Sequence, residues 1–381
     1  MRCPGACATV TAMGGRNTTT RRHTAPKLPL ERVHVEVTSR CNFACEFCPN
    51  PVLQRRHGSM EWPMLQEILG EIAAAKVTGN VVFHQQGEPL LYPHLHEGVA
   101  AATRLGLASF VTSNGALLSD AVVDRLLESG LTELNVSLQT PDEASFAIRG
   151  AHGLDYAAFE ARVVNAVQRV LRAPSATRVR VELLTKPLPR LTLPNVGKDW
   201  KIVERNHELH AMLEKWAHRW VGDLEDAPSP KSITRAVRRT GVLHRNELRL
   251  HPRLVIETRP VGEWSMPEMT GDRKWHDARW GTCHGISEHI AILWDGSYTF
   301  CCADHNGRTS TASFRELSIL DYLDSGPVQE ALSSLQRMRP SHPYCRACLG
   351  GPHPVMPVVK AIGSIFFFKV LKKLRRVSRA S

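Results

Sequence analysis

Short strand-like segments alternate with amphipathic helical ones from Val33 to Leu184, and no other pattern restricts the fold of this chain as tightly. The strand candidates are Val33–Val37, Val81–His84, Ser109–Thr112, Glu133–Ser137 and Val179–Leu184, in which apolar residues alternate or form short runs. Helical patterns lie between them at about 62–75, 95–106, 117–129 and 156–172. Strands joined through helices require a parallel sheet with right-handed crossovers. The predicted fold is therefore α/β, an open partial (β/α) barrel with its functional loops at the carboxyl ends of the strands. From about Lys186 to Gly281 the rhythm breaks. Pro187, Pro189 and Pro194, a helix near 205–221 and a basic patch at Arg235–Arg239 read as an insertion, and Arg253–Glu257 is a last strand candidate.

The first strand runs into Cys41, Cys45 and Cys48, spaced C-x3-C-x2-C. Three thiolates at this spacing hold three irons of a [4Fe–4S] cluster and leave the fourth iron without a protein ligand. A zinc knuckle needs four closed ligands, and no fourth Cys or His stands at knuckle spacing. The first thirty residues lack the apolar run of a secretory signal. Clustered cysteines in a reducing cytosol read as ligands rather than disulfides. The next strand candidates end in polar loops of their own: Gln85-Gln86-Gly87-Glu88-Pro89, Thr112-Ser113-Asn114-Gly115 and Ser137-Leu138-Gln139-Thr140.

A second cysteine set follows: Cys283, twelve residues, Gly296, four residues, Cys301, then Cys345-Arg346-Ala347-Cys348. Taken alone, four cysteines read first as a structural zinc site. Cys302 is one thiol more than a single site needs, an inert neighbour or an alternative ligand to Cys301.

These features, taken in order, resemble the radical S-adenosylmethionine (SAM) enzymes. The triplet spacing, Phe47 before the last cysteine and Gly87-Glu88-Pro89 after the second strand carry the likeness, over roughly residues 32–185. The resemblance implies a [4Fe–4S] cluster on Cys41, Cys45 and Cys48 whose open iron is chelated by SAM. Reductive cleavage of SAM would give a 5′-deoxyadenosyl radical that removes hydrogen from substrate. It implies SAM contacts from Gln86, Gly87, Glu88 and Pro89, with backbone carbonyls of 86–88 meeting the ammonium. Ser113, Asn114, Ser137 and Gln139 would meet the ribose or carboxylate, with Arg149 either a further contact or a solvated helix-end charge. The later cysteines resemble the twitch form of the SPASM extension. Cys283, Cys301, Cys345 and Cys348 would then ligate one auxiliary [4Fe–4S] cluster with no open iron, suited to accepting an electron.

The domain expectation is a disordered basic N-terminus over 1–30, a partial barrel over 31–260, a small cysteine-rich module over 261–355 and a basic tail helix over 356–381. The implied function is an oxidoreductase that dehydrogenates a polar small molecule such as a sugar or aminocyclitol, supplied with electrons by a flavodoxin or ferredoxin. Glu182 is a candidate for the proton step. An epimerase using Cys302 as hydrogen-atom donor and a maturase of ribosomal peptides are the alternatives.

Charge is segregated along the chain. Residues 1–30 and 331–381 carry fifteen basic and no acidic side chains, so a net charge of +11 leaves −4 for residues 31–330. A mildly acidic body argues against nucleic acid as partner. No run of eighteen apolar residues exists to span a membrane, consistent with a cytoplasmic protein. The tail from Lys360 to Arg376 has an apolar helical face among lysines and arginines, the pattern of a membrane-surface helix or of one packed on the body with its basic face solvated.

Overall fold

The computed structural model describes residues 26–186, 200–261, 274–301 and 303–371. The expected alternation is present as β1 (Arg32–Val35), α1 (Trp62–Ala74), β2 (Asn80–Val82), α2 (Leu95–Arg104), β3 (Ala108–Ser113), α3 (Asp120–Glu128), β4 (Glu133–Gln139), α4 (Glu143–Phe146), α5 (Tyr156–Arg172) and β5 (Arg178–Thr185). Polar caps start three of these helices: Ser119, Asp142 and Asp155 each accept a hydrogen bond from a backbone N–H of the first turn. The disorder expected over 1–30 falls, for residues 1–25, outside the described residues; Leu30 forms a parallel bridge with Thr78.

Three further segments join the sheet. β6 (Asn246–His251) and β7 (Leu254–Pro260) add beyond β5, while β8 (His289–Ile292) and β9 (Tyr298–Thr299) add beyond β1. The order is β6-β7-β5-β4-β3-β2-β1-β8-β9. Neighbours from β7 to β8 run parallel, and β6 and β9 are antiparallel edges. The last strand candidate, Arg253–Glu257, is present as β7 beside β5, and β6 pairs with it as an antiparallel edge that the sequence did not reveal. The sheet also crosses into the cysteine-rich segment, since Val35 of β1 is in register with Ile292 of β8.

The two faces of the sheet differ in chemistry. Val33, Val35, Val81, Val111, Val136 and Val181 are fully buried, in one core with α1, α2, α3 and α5. Strand alternation puts His34, Thr112, Asn135, Ser137, Arg180 and Glu182 on the opposite, half-buried face. A concave sheet with one oily and one polar face has its ligand space on the polar side. No described helix is long and apolar enough to cross a membrane.

Candidate functional site

The loop after β1 is held open by its own backbone. Asn50 donates from Nδ2 to the Ser39 carbonyl (2.8 Å), the Ser39 hydroxyl accepts from Gly58 N (3.0 Å), and Thr38 donates to the Gly58 carbonyl (3.0 Å). From the other side, Ala44 N and Glu46 N donate to the carbonyls of Gly150 and Ile148. The loop thus cannot collapse onto its cysteines. Burial pushes the Cys41 thiol up to about 11 and the Cys48 thiol up to about 12, and raises that of Cys45. The three feel one another's charge.

Such a site holds three thiolates only beside a strong positive centre, and it already aims donors at sulfur. Phe43 N lies 3.5 Å and Asn114 Nδ2 3.8 Å from Cys41 Sγ. This donor set fits an iron–sulfur cluster. Among the described residues, no three His, Cys, Asp or Glu side chains close around a point at metal-binding geometry; the fit rests on the donors and their surroundings.

Gly87 and Glu88 lock the second loop against the first. Gly87 has φ +81°, and a Cβ on it would stand 2.5 Å from the Thr38 carbonyl oxygen and 2.7 Å from that of Arg40. Glu88 N donates to the Arg40 carbonyl (2.8 Å). Its buried carboxylate accepts from Leu90 N (3.0 Å) and Asn114 N (2.6 Å), so backbone and side chain of this one residue together tie three loops. Burial raises its pKa to about 7 against these hydrogen bonds. Among the described residues the carbonyls of Gln86 and Gly87 accept no hydrogen bond, whereas that of Glu88 accepts from Leu91 N. Pro89 opens the short turn that follows.

Ser113 is buried and accepts from Gly115 N (3.1 Å). Asn114 donates to Asn42 Oδ1 (2.8 Å). Gln139, in left-handed backbone at φ +52°, accepts from Arg149 (3.1 Å), as does the Ser137 carbonyl (2.8 Å). Arg149 is not a solvated charge. It is 1% exposed, its guanidinium bonds also to the carbonyls of Leu138 and Asn114, and it lies 5.0 Å from the Phe43 ring centroid. The cysteine loop rests on this cation, which also favours a charged Cys45. An arginine after a strand-end loop gives no sequence signal for that role.

Glu182 lies on the open face of β5, paired to Arg259 of β7 at 2.7 Å. Burial raises its pKa and Arg259 opposes the rise. Opposite it in register is Glu257, which bonds to Arg180 (2.9 Å) and Arg245 (2.7 Å).

In the second cysteine set, Cys283, Cys345 and Cys348 lie close enough to feel one another's charge. Cys345 and Cys348 lie on the helix Pro343–Cys348, and the N–H of Gly285 points at Cys283 Sγ (3.2 Å). Burial, and then the charges of Cys348, Cys283 and Asp304, push the Cys345 thiol up to about 12. Tyr344 donates to the Ala303 carbonyl (2.5 Å), drawing the Cys301 loop onto this helix. Cys302 lies outside the described residues. Asp304, which sequence reasoning missed, is buried and accepts from Arg308 N and Thr309 N. The segment after Cys48 bridges the two sets: Arg55 pairs with Glu36 and donates to the His305 carbonyl (2.7 Å), and Gln54 N donates to Asn306 (2.8 Å).

Comparison with known proteins agrees with this geometry. Residues 35–175 match the radical SAM superfamily and residues 283–349 an iron–sulfur cluster-binding domain, SPASM. A PqqA peptide cyclase of Gluconobacter oxydans is 31% identical over 38% of this chain and 40% of its own length. An S-adenosyl-L-methionine-dependent 2-deoxy-scyllo-inosamine dehydrogenase of Niallia circulans is 30% identical over 28% of this chain and 43% of its own. The matches thus span less than half the length of these relatives. The crystal structure of Streptococcus suis SuiB bound to S-adenosylmethionine superposes with a TM-score of 0.50 at 16% identity, over 84% of this chain and 72% of that one, a likeness of fold. The two domains imply SAM, a [4Fe–4S] cluster and further iron–sulfur chemistry, and the chain belongs to the radical SAM superfamily, with a C-terminal SPASM-like module.

Proposed function

We propose that this enzyme dehydrogenates a polar small molecule of the sugar or aminocyclitol class. In this reading Cys41, Cys45 and Cys48 ligate the SAM-binding cluster, and Cys283, Cys301, Cys345 and Cys348 an auxiliary one. The observation that carries it is the contrast between the sets: three cysteines beside the open carbonyls of Gln86 and Gly87, and four in the second. When bound, SAM and its cluster supply a carbon-centred radical that removes a hydrogen atom. The chain's residues position and polarise. Glu88 keeps the three loops in register, Gln86 and Gly87 offer carbonyls to an ammonium group, and Ser113, Asn114, Ser137 and Gln139 stand at the strand ends where a ribose and carboxylate would lie.

The open face supports a hydroxyl-rich substrate. Among the described residues Asn135 Oδ1 is buried there with no hydrogen-bond partner, and Arg180 and Glu182 flank it on β5. Glu182 would accept the hydroxyl proton as the carbinol carbon is oxidised, and Cys283, Cys301, Cys345 and Cys348 would hold the cluster that serves as acceptor for the second electron. A flavodoxin- or ferredoxin-type reductant would supply the priming electron. The Niallia circulans relative, named a dehydrogenase, favours this reading; the PqqA peptide cyclases favour a peptide substrate as the second.

The test is anaerobic reconstitution followed by turnover on carbinol-deuterated aminocyclitols and sugars. Expected are about eight irons per chain, deuterium in 5′-deoxyadenosine and a ketone product. A product of unchanged oxidation state carrying solvent hydrogen would indicate epimerisation. Turnover on a precursor peptide alone would favour the second reading, and zinc in place of iron would end both.

A further inference from the structure

The C-terminal helix has two unlike faces. Helix Met356–Ile365 continues into the π-helical turn Phe366–Leu371. Its inner face packs on the cysteine module: Ala361 is fully buried, Ser364 accepts from Thr282 N (3.2 Å), Lys360 donates to the Cys348 carbonyl (3.2 Å), and Phe368 lies against His284 with centroids 4.9 Å apart. Its outer face carries Val355, Val358, Val359, Ile362 and Phe366, each 43–58% exposed. Their spacing draws one continuous stripe. With Phe367, this helix holds six of the fourteen large apolar side chains exposed among the described residues, so the apolar surface is concentrated here. Trp280, 44% exposed, stands one residue before Gly281, whose ideal Cβ position lies 3.6 Å from Ala361 Cα.

The sequence that carries the stripe holds charge of one sign, and the exposed Asp277 stands on the neighbouring segment that bridges to Gly351. Residues 331–381 contain no acid, Lys369 is exposed at the stripe's end, and the sequence continues with Lys372, Lys373, Arg375, Arg376 and Arg379. A second copy of this face would bring two basic, acid-free segments together, which repel. An anionic bilayer meets both features: apolar side chains enter the acyl boundary and basic ones stay among the headgroups. We propose that this face docks the enzyme peripherally on an anionic lipid bilayer, with Val359, Ile362 and Phe366 inserted. The helix is fixed to the Cys283–Cys348 module, so docking would hold that module at the membrane surface.

Vesicle flotation of the full-length protein tests this. Vesicles containing phosphatidylglycerol should carry the protein, phosphatidylcholine vesicles should carry much less, and salt should release it. Ile362→Asp, at an exposed site where folding is undisturbed, should lower partitioning at least about tenfold. Replacing Lys372, Lys373, Arg375 and Arg376 by Gln should remove the preference for phosphatidylglycerol. Wild-type protein that does not float, or an Ile362→Asp variant that floats equally well, overturns the proposal. So does a dimer that Ile362→Asp converts to monomer without flotation of the wild type, which would assign the face to a second copy. Circular dichroism and iron content of each variant, unchanged from wild type, keep these outcomes separate from misfolding and from the reaction itself.

Discussion

At the scale of single residues, Gly87 does more than its place in a Gly-Glu-Pro turn suggests. Its backbone lies against the carbonyls of Thr38 and Arg40 at a positive φ, so Gly87→Ala meets both a clash and a conformational penalty. The expected result is a loss of about 2 kcal/mol or more, read as a lower Tm, with poorer iron retention by the first cysteine set. Glu88 makes a separate prediction. Burial raises its pKa from 4.5 to about 7, so within that window the native state holds a proton that the unfolded chain releases. Its contribution to stability is full below pH 4.5 and declines as pH rises through about 7. Urea midpoints between pH 5 and 8 should fall with a slope that Glu88→Gln flattens; the same slope in both proteins would refute the assignment. Glu182→Gln should lower kcat well over tenfold if Glu182 accepts the substrate proton, while iron content and SAM binding stay as in wild type. The triplet and the Gly-Glu-Pro element were legible in sequence because cluster ligation and a tight turn need particular residue types at fixed spacing. The triple tie made by Glu88 was not, since it joins residues brought together only by the sheet.

At the scale of elements, the loops are stapled by buried cations. Arg149, in the turn after α4, joins the ends of β3 and β4 and supports the cysteine loop through Phe43. Nothing in sequence separates it from a surface arginine; only the fold makes it 1% exposed. Arg55 is its counterpart on the other flank, pairing with the fully buried Glu36, which also accepts from Trp294 N (3.2 Å). Removing Arg55 leaves Glu36 as an uncompensated buried carboxylate, so Arg55→Ala should cost about 3–5 kcal/mol, measured by chemical unfolding. A loss below 1 kcal/mol would show that this pair contributes little. Strands were read well where β-branched residues repeat, as in β1 and β5. β6, with the sequence Asn-Glu-Leu-Arg-Leu-His, the four-residue β8 and the two-residue β9 were not found, because short strands owe their conformation to a neighbour.

At the scale of the whole molecule, one sheet carries both cysteine sets. β8 pairs along all of β1, so the C-terminal module completes an edge that would otherwise expose unpaired backbone. A chain ended after Gly281 should therefore aggregate or lose cooperative unfolding, and a cleanly monomeric, two-state truncation would contradict this account. By itself the sequence determined the alternating α/β plan and the carboxyl-end placement of the loops, since these follow from periodicity and chirality. The tertiary structure alone decided that β8 lies beside β1, that Arg149 and Glu88 are buried ties rather than surface charges, and that the tail helix turns its apolar stripe outward. Those outcomes depend on which distant residues share one desolvated space, and local sequence carries no term for that.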